Sequence, residues 1–166
     1  MKTAEMEIAI MNYLNIRVNI VVPNVSWALL DYEADIVSLT KAGYATEIEI
    51  KVSKSDLLAD LKKKHQHNSD LFKYLYYAVP QDLADCALEV IPKRAGLLTV
   101  KRNEKRWYGQ FYDGREFIVD MKRQPKVNAC CKKWDERKMF ELTRLGCMRI
   151  YALKKKLVMA NQKEDV

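Results

Sequence analysis

The sequence is poor in the residues that build disulfide-stapled or zinc-stabilised folds. It contains four cysteines and two histidines among 166 residues. No two cysteines form a C-x-x-C pair, and neither histidine lies near a cysteine at the spacing of a zinc site. We therefore expect free thiols, including the adjacent Cys130 and Cys131, and a reduced cytoplasmic compartment. A chain of this length buries about 70% of its unfolded surface, so it can fold without a staple.

Long apolar runs, internal repeats and low-complexity tracts are also missing. No apolar run approaches the roughly 20 residues that span a bilayer, so we expect no membrane partner. The first 15 residues carry acids within their apolar stretch and have no small-residue cleavage site, which is not the pattern of a secretory signal. No convincing linker interrupts the chain. The sequence therefore predicts a single domain over residues 1–166.

Charge is present in abundance but is unevenly distributed. Residues 1–92 contain 9 basic and 13 acidic side chains, a net charge of −4, whereas residues 93–166 contain 20 and 9, a net charge of +11. This asymmetry indicates an acidic site beside a surface for a polyanion. A well-solvated pair of basic helices accounts for the charge equally well.

Hydrophobic periodicity predicts a mixed sheet with helices on both of its faces. Helices are expected at residues 3–14, 54–66, 81–88 and from Pro125 to about 160, and strands at residues 15–22, 32–40, 44–52, 71–79 and 96–100. Thr3 is the expected cap of the first helix, and Ser53 or Ser55 the cap of the second. Gly146 is expected to break the last helix or to allow close packing.

Side-chain burial on these elements can also be predicted. Four residues should form one apolar stripe on the first helix: Met6, Ile10, Tyr13 and Leu14. Three leucines should form the apolar face of the second: Leu57, Leu58 and Leu61. The Asp113-Gly114 turn predicts a hairpin between residues 106–112 and 115–121.

Two of the predicted strands carry acidic residues that could form a functional site. Residues 44–52 alternate, with Glu47, Glu49 and Lys51 on one side and isoleucines and a valine on the other. The three-residue loop Lys41-Ala42-Gly43 predicts a hairpin with residues 32–40, because its last position suits the left-handed backbone of glycine. Pairing Thr40 with Tyr44 then places Asp35 opposite Glu49, and Glu33 opposite Lys51.

Two carboxylates in directly opposed positions destabilise a sheet unless a positive charge lies between them. Hard oxygen ligands at this separation suit Mg²⁺ or Mn²⁺. The sequence therefore predicts a metal site at Asp35 and Glu49, with Lys51 directed towards a phosphate or an attacking water. The competing interpretation is a solvated charged face with a Glu33–Lys51 ion pair. Glu47 is expected to be an exposed strand residue rather than an outer acid of the site.

The combination of Asp35 with Glu49-Ile50-Lys51, in a helix–strand–strand–strand–helix–strand order, resembles the PD-(D/E)XK nuclease superfamily. The nearest resemblance is to bacterial MmcB-like DNA-repair proteins, through about residues 33–100. It rests on the segments ADIVSL, EIEIKVSKSDLLADLKKKH, LFKYLYYAVPQDL and IPKRAGLLTV. Ala34 stands where the superfamily pattern has proline, at a loosely kept position.

The resemblance implies a restriction-endonuclease-like α/β fold and a set of roles. Asp35, Glu49 and the backbone carbonyl of Ile50 would hold the metal, and Lys51 would orient the attacking water or help to deprotonate it. A glutamate of the first helix often completes such sites, and Glu5 and Glu7 remain as two alternatives. The chain would divide into a nuclease-like core at 1–102, a basic and aromatic hairpin at 103–125 and C-terminal helices at 126–160.

DNA is the expected partner, because basic and aromatic residues are interleaved after the core. The candidate contacts are Lys54, Lys62, Lys63, Arg102, Lys105, Arg106 and Trp107. Three tyrosines of the strand at 71–79 (Tyr74, Tyr76 and Tyr77) are expected in the core, with a hydroxyl at the edge of the site as the alternative.

The leading hypothesis is a metal-dependent deoxyribonuclease in DNA repair or recombination. A non-catalytic nucleic-acid-binding protein and an interaction protein whose basic helices bind a partner in a repair complex are the alternatives. A homodimer would cut both strands most simply, but the sequence identifies no interface.

Overall fold

The structure, a computed structural model, describes residues 1–26, 29–60, 69–104, 106–107, 110–111 and 116–164. The side chains of residues 106–107, 110–111 and 162–164 lie outside this description. The helices are α1 (Thr3–Tyr13), α2 (Lys54–Asp60), α3 (Ala84–Val90) and α4 (Glu136–Glu164), and a 3₁₀ turn (Gln81–Leu83) precedes α3. The strands are β1 (Ile20–Val25), β2 (Ala34–Leu39), β3 (Ala45–Ile50), β4 (Phe72–Pro80), β5 (Gly96–Arg102), β6 (Arg106–Trp107), β7 (Gln110–Phe111) and β8 (Phe117–Arg123). None of the helices in this part of the chain is long and apolar enough to cross a membrane.

Six of the described strands form one mixed sheet in the order β1-β2-β3-β4-β5-β8. Strands β3, β4 and β5 are parallel, and the other three join antiparallel. The predicted crossover from β3 through α2 to a parallel β4 is confirmed, as expected for a strand–helix–strand unit. The α/β prediction, a mixed sheet flanked by helices with a helical C-terminal extension, is thus confirmed at this level.

The hairpin that was predicted around Lys41-Ala42-Gly43 is present. Gly43 has a φ of +83° and its N–H donates to the Thr40 carbonyl, which closes the turn. The two strands pair from Leu39 with Ala45 to Ile36 with Ile48. The predicted register is therefore confirmed, since continuing it by one residue brings Asp35 opposite Glu49.

The sheet buries both of its faces. Helix α1 packs on one face through Met6, Ala9 and Ile10, against side chains of the central strands such as Ile48 and Ala78. On the other face Leu57 of α2 and Ala87 of α3 cover β4 and β5. Leu142 of α4 and Trp134, with Phe72 and Val37, form a third cluster on that face, near the β1 edge. Burial of each large aliphatic side chain contributes about 1.5–3 kcal/mol to this core.

Four boundary and packing predictions for the N-terminal half are wrong. The strand expected at 15–22 begins at Ile20 and continues through Pro23. A proline has no N–H to donate to a neighbouring strand, and it is tolerated here because β1 lies at the edge of the sheet. The residue before α1 is Lys2 rather than Thr3. Tyr13 and Leu58 are exposed, at 43% and 39%, instead of completing apolar faces.

The segment after β5 also differs from the prediction. Residues 117–123 form β8, which pairs with β5 in the main sheet, whereas β6 pairs with β7 in a separate two-stranded ribbon. The segment 103–125 is therefore not a separate hairpin, and the core sheet extends past residue 102. The antiparallel partner covers an edge of β5 that would otherwise be left unpaired. The Asp113-Gly114 turn lies outside the described residues.

The last helix begins later than predicted and is continuous. Residues 126–135 carry no helix, and they include Cys130 and Cys131, while the buried Trp134 packs 6.1 Å from the Phe72 ring. Helix α4 then runs from Glu136 without a break at Gly146. A β-carbon at Gly146 would lie 3.3 Å from Val22, so this glycine allows close packing on β1. All four cysteines are free.

Candidate functional site

Strand β3 and the residue that follows it carry a row of buried charged side chains on one face. Glu47, Glu49 and Lys51 are exposed by only 0%, 1% and 3%, and the hydrophobic Ile48 and Ile50 face α1 on the other side. The alternation follows from the strand pleat. The prediction that Glu47 would be exposed is wrong, because the chain before β2 covers this face.

The covering residue beside Glu47 is Tyr32. Burial raises the pKa of Tyr32, and the nearby carboxylate of Glu47 raises it further. The Tyr32 hydroxyl therefore keeps its proton at neutral pH beside the buried carboxylate. The nearby charge of Arg94 acts in the opposite direction on this hydroxyl.

The ammonium group of Lys51 lies among three carboxylates. Its Nζ is 2.7 Å from Glu49 Oε2, 3.1 Å from Asp60 Oδ1 and 3.6 Å from Asp35 Oδ2. Burial alone would lower the pKa of Lys51, but Glu49, Asp35 and Asp60 outweigh it, so that the pKa is raised. The amine is therefore charged at neutral pH. The ion pair with Glu33 that the competing interpretation expects is not formed, since Glu33 is exposed and Lys51 is ion-paired with the other three acids.

Asp35 is the most accessible of these carboxylates, with 32% of its side chain exposed. Its Oδ2 accepts a hydrogen bond of 2.7 Å from the backbone N–H of Ile50. This bond ties the start of β2 to the end of β3 and fixes the direction of the carboxylate. The positive charge that the opposed Asp35 and Glu49 require is provided, in this structure, by Lys51.

Asp60 and Tyr77 belong to the same cluster, although the sequence did not single out Asp60. Asp60 is 3% exposed at the described end of α2, and the Tyr77 hydroxyl donates to its Oδ2 at 2.7 Å. Burial and the Asp60 carboxylate raise the pKa of Tyr77, which therefore acts as a donor. Asp60 follows the buried Leu57 by three residues and therefore lies on the same face of α2. This helical spacing was the feature of the sequence that could have indicated the burial of Asp60. Tyr77 thus meets both expectations, as a core residue whose hydroxyl reaches the site.

The choice between Glu5 and Glu7 follows from their surroundings. Glu5 is ion-paired with Arg102 and accepts a hydrogen bond from the Lys2 backbone N–H. Burial raises the pKa of Glu7, the Asn24 side chain opposes this through a hydrogen bond, and the nearby Asp35 raises it further. Of these two glutamates, Glu7 is therefore the one whose charge interacts with that of Asp35.

The donor set can be compared with what a divalent cation requires. Within the described ranges, no group of three or more His, Cys, Asp or Glu side chains is arranged to hold a metal ion. The chemistry of the donors nevertheless fits Mg²⁺ or Mn²⁺, because Asp35 and Glu49 are hard carboxylate ligands that lie within 3.6 Å of one shared positive group, the Lys51 ammonium. Their negative charge exceeds what the ammonium of Lys51 balances, and a bound cation would reduce that excess.

The residues predicted to bind DNA are only partly described. Lys54 is exposed at the start of α2, next in the chain to the cluster. Arg102 is ion-paired with both Glu5 and Glu116, so a phosphate would have to compete with two carboxylates for it. Lys62, Lys63 and Lys105 lie outside the described residues, as do the side chains of Arg106 and Trp107.

Comparison with known proteins adds information on the fold. A solved structure of SPO1766, a protein of unknown function from Silicibacter pomeroyi, is similar, with a TM-score of 0.60 and 16% sequence identity. The match covers 98% of this chain and 94% of that chain. No family model matches the chain, and no curated protein matches it. At this identity the likeness shows a shared fold alone.

Proposed function

We propose that the protein is a metal-dependent deoxyribonuclease of the PD-(D/E)XK type that hydrolyses phosphodiester bonds during DNA repair or recombination. The observation that carries this proposal is the juxtaposition of Asp35, Glu49 and Lys51 at the ends of two paired strands. A restriction-endonuclease-like fold is part of the proposal, and the mixed sheet with α1 and α2 on opposite faces is compatible with it. The free cysteines fit a cytoplasmic location.

Five residues at the candidate site have roles in this proposed reaction. Asp35 and Glu49 would hold Mg²⁺ or Mn²⁺ with the carbonyl of Ile50, and Glu7 would supply a further carboxylate. When bound, the metal would lower the pKa of a water molecule and polarise the scissile phosphate. The Ile50 N–H keeps the Asp35 carboxylate in a fixed direction. The Lys51 ammonium would stabilise the negative charge that develops on the phosphate oxygens.

Basic residues outside the cluster would hold the nucleic acid. Lys54 and the lysines of α4 are candidates for phosphate contacts, and the charge of residues 93–166 would attract the polyanion over longer distances. DNA is therefore the proposed partner. A homodimer would cut both strands most simply, and a protein partner in a repair complex is the other assembly that we propose.

The test is cleavage of plasmid and single-stranded DNA with Mg²⁺ or Mn²⁺. We expect the wild-type protein to cut, and EDTA to abolish cutting. Glu49→Gln and Lys51→Ala should each reduce the rate by about a hundredfold or more, because each removes a charge that acts on the transition state. Glu89→Gln and Lys93→Ala are matched controls at exposed positions and should cut at the wild-type rate.

A non-catalytic nucleic-acid-binding protein on the same fold is the second candidate. The observation that favours it is that the ammonium of Lys51 itself neutralises part of the charge of Asp35 and Glu49. This candidate predicts that the wild type, Glu49→Gln and Lys51→Ala all bind DNA and that none of them cuts it. Binding that weakens steeply with salt would indicate phosphate contacts, whereas binding to a protein partner need not respond in this way.

A further inference from the structure

The carboxylate of Asp60 connects three elements of the fold. It lies on α2, it contacts Lys51 at the end of β3 at 3.1 Å, and it accepts the hydroxyl of Tyr77 on β4 at 2.7 Å. Asp60 is 3% exposed and Tyr77 is 1% exposed. Both oxygens of this carboxylate therefore have a defined contact inside the protein, one with the ammonium of Lys51 and the other with the neutral hydroxyl of Tyr77.

Asp60 differs in exposure from Asp35, which has 32% of its side chain exposed, but not from Glu49, since only 1% of the Asp60 and Glu49 side chains is accessible. What distinguishes Asp60 from Glu49 is its second partner, the neutral hydroxyl of Tyr77, which fixes the direction of the Asp60 carboxylate. The ammonium of Lys51 and this hydroxyl together offset the desolvation of the buried Asp60 carboxylate.

A divalent cation at Asp35 and Glu49 would compete with Lys51 for the same oxygens. The ammonium is bonded most closely to Glu49, and a cation on that carboxylate would repel it. Asp60 is the neighbouring carboxylate to which the ammonium can shift while remaining in the site. We propose that Asp60, oriented by Tyr77, is a positioning residue that keeps Lys51 in place and releases Glu49 to the metal. This inference rests on the proposed metal-dependent function.

The test measures Mn²⁺ binding by isothermal titration calorimetry, without any substrate. Asp60→Asn should raise the Kd for Mn²⁺ about tenfold, because the ammonium then has only Asp35 and Glu49 as counter-charges. Tyr77→Phe keeps the buried ring and should raise the Kd about threefold, and it serves if Asp60→Asn does not fold. Asp56→Asn, at an exposed position of the same helix, should leave the Kd unchanged.

The Lys51→Met background separates positioning from direct ligation. If Asp60 acts through Lys51, adding Asp60→Asn to Lys51→Met should change the Kd less than twofold. An equal tenfold loss of Mn²⁺ affinity in both backgrounds would identify Asp60 as a metal ligand and overturn the inference. So would an unchanged Kd in Asp60→Asn, even where the wild type binds Mn²⁺ and cuts DNA. A wild type that neither binds Mn²⁺ nor cuts DNA would overturn the proposed function as well.

Discussion

The charge of Lys51 determines whether the buried cluster is stable. Its ammonium is within 3.6 Å of Glu49, Asp60 and Asp35 and is almost inaccessible to solvent. A buried ion group of this kind costs desolvation free energy, and the loss of its central charge leaves carboxylates that repel one another. The stability of the fold and the proposed chemistry of the site therefore depend on the same side chain.

This dependence predicts the effect of Lys51→Met on the free energy of unfolding. We expect a loss of about 3–5 kcal/mol, because the substitution removes one partner of a buried ion group. Urea denaturation at pH 7 measures it, with Lys54→Met as the exposed control that should remain within about 0.5 kcal/mol of wild type. Mg²⁺ should restore part of the loss in Lys51→Met, since a ligand that binds the folded state stabilises it. A loss below 1 kcal/mol would mean that the carboxylates relax into solvent.

At the scale of single elements, the ends of the helices are fixed by local hydrogen bonds. The Ser53 hydroxyl accepts the N–H of Asp56 at 3.2 Å, which selects Ser53 over Ser55 as the cap of α2. Asp135 does the same for α4, where its Oδ1 accepts the N–H of Lys138 at 2.8 Å. Such caps satisfy N–H groups that have no partner within the helix.

The cap at Asp135 predicts a pH dependence of stability. The hydrogen bond from the Lys138 backbone, followed by contacts with the Lys138 side chain, lowers the pKa of Asp135. Its contribution is therefore complete above the ordinary pKa of an aspartate and is lost as the pH falls through the lowered value. Asp135→Ala should lower the melting temperature by about 2 °C at pH 7.

The difference between Asp135→Ala and wild type should shrink as the pH is lowered below 4. Asp135→Asn is the control, because an asparagine caps a helix without titrating. Its melting temperature, relative to Asp135→Ala, should not depend on pH in this range. A wild-type advantage that persists unchanged in acid would show that the charge of the cap does not contribute. Differential scanning calorimetry at a series of pH values makes the measurement.

At the scale of the whole molecule, helix α4 extends beyond the surface that it covers. Leu142 is buried and the Arg149 guanidinium donates to the Asn24 carbonyl, whereas residues 150–161 are all exposed. This exposed part carries three consecutive lysines at 154–156. The packing of α4 on the sheet therefore ends near Arg149, and the rest of the helix presents both charged and apolar side chains to solvent.

Removing residues 152–166 should leave the free energy of unfolding within about 0.5 kcal/mol of wild type, because no described side chain in 152–161 is buried. If the lysines contact phosphates, the same truncation should weaken DNA binding about tenfold at low salt and reduce its salt dependence. Urea denaturation and fluorescence anisotropy with a labelled duplex measure the two effects. Replacing Lys154, Lys155 and Lys156 by Gln in the full chain is the matched control and should reproduce the loss of affinity. Unchanged affinity in both variants would exclude this helix from the DNA interface.

Local sequence determined much of the secondary structure. Gly43 fixed the hairpin register, because a three-residue loop with a left-handed last position allows few pairings. The alternation of residues 45–50 placed Glu47 and Glu49 on one face, and the apolar run at 71–79 predicted the central strand. These features depend on neighbours in the chain, so the sequence was sufficient to predict them.

The tertiary structure decided what depends on distant parts of the chain. β8 pairs with β5 rather than within a local hairpin, because β5 has an edge that can accept another strand. The turn residues of the local sequence carry no information about that edge. Glu47 is buried beside Tyr32, and Glu7 interacts electrostatically with Asp35 whereas Glu5 is ion-paired with Arg102, because of how α1 packs. Asp60 joins Lys51 only when α2 folds back over β4. The sequence by itself determined which residues are charged and on which side of a strand they lie, while packing decided which charges meet, because electrostatic contacts form across elements that only the folded chain brings together.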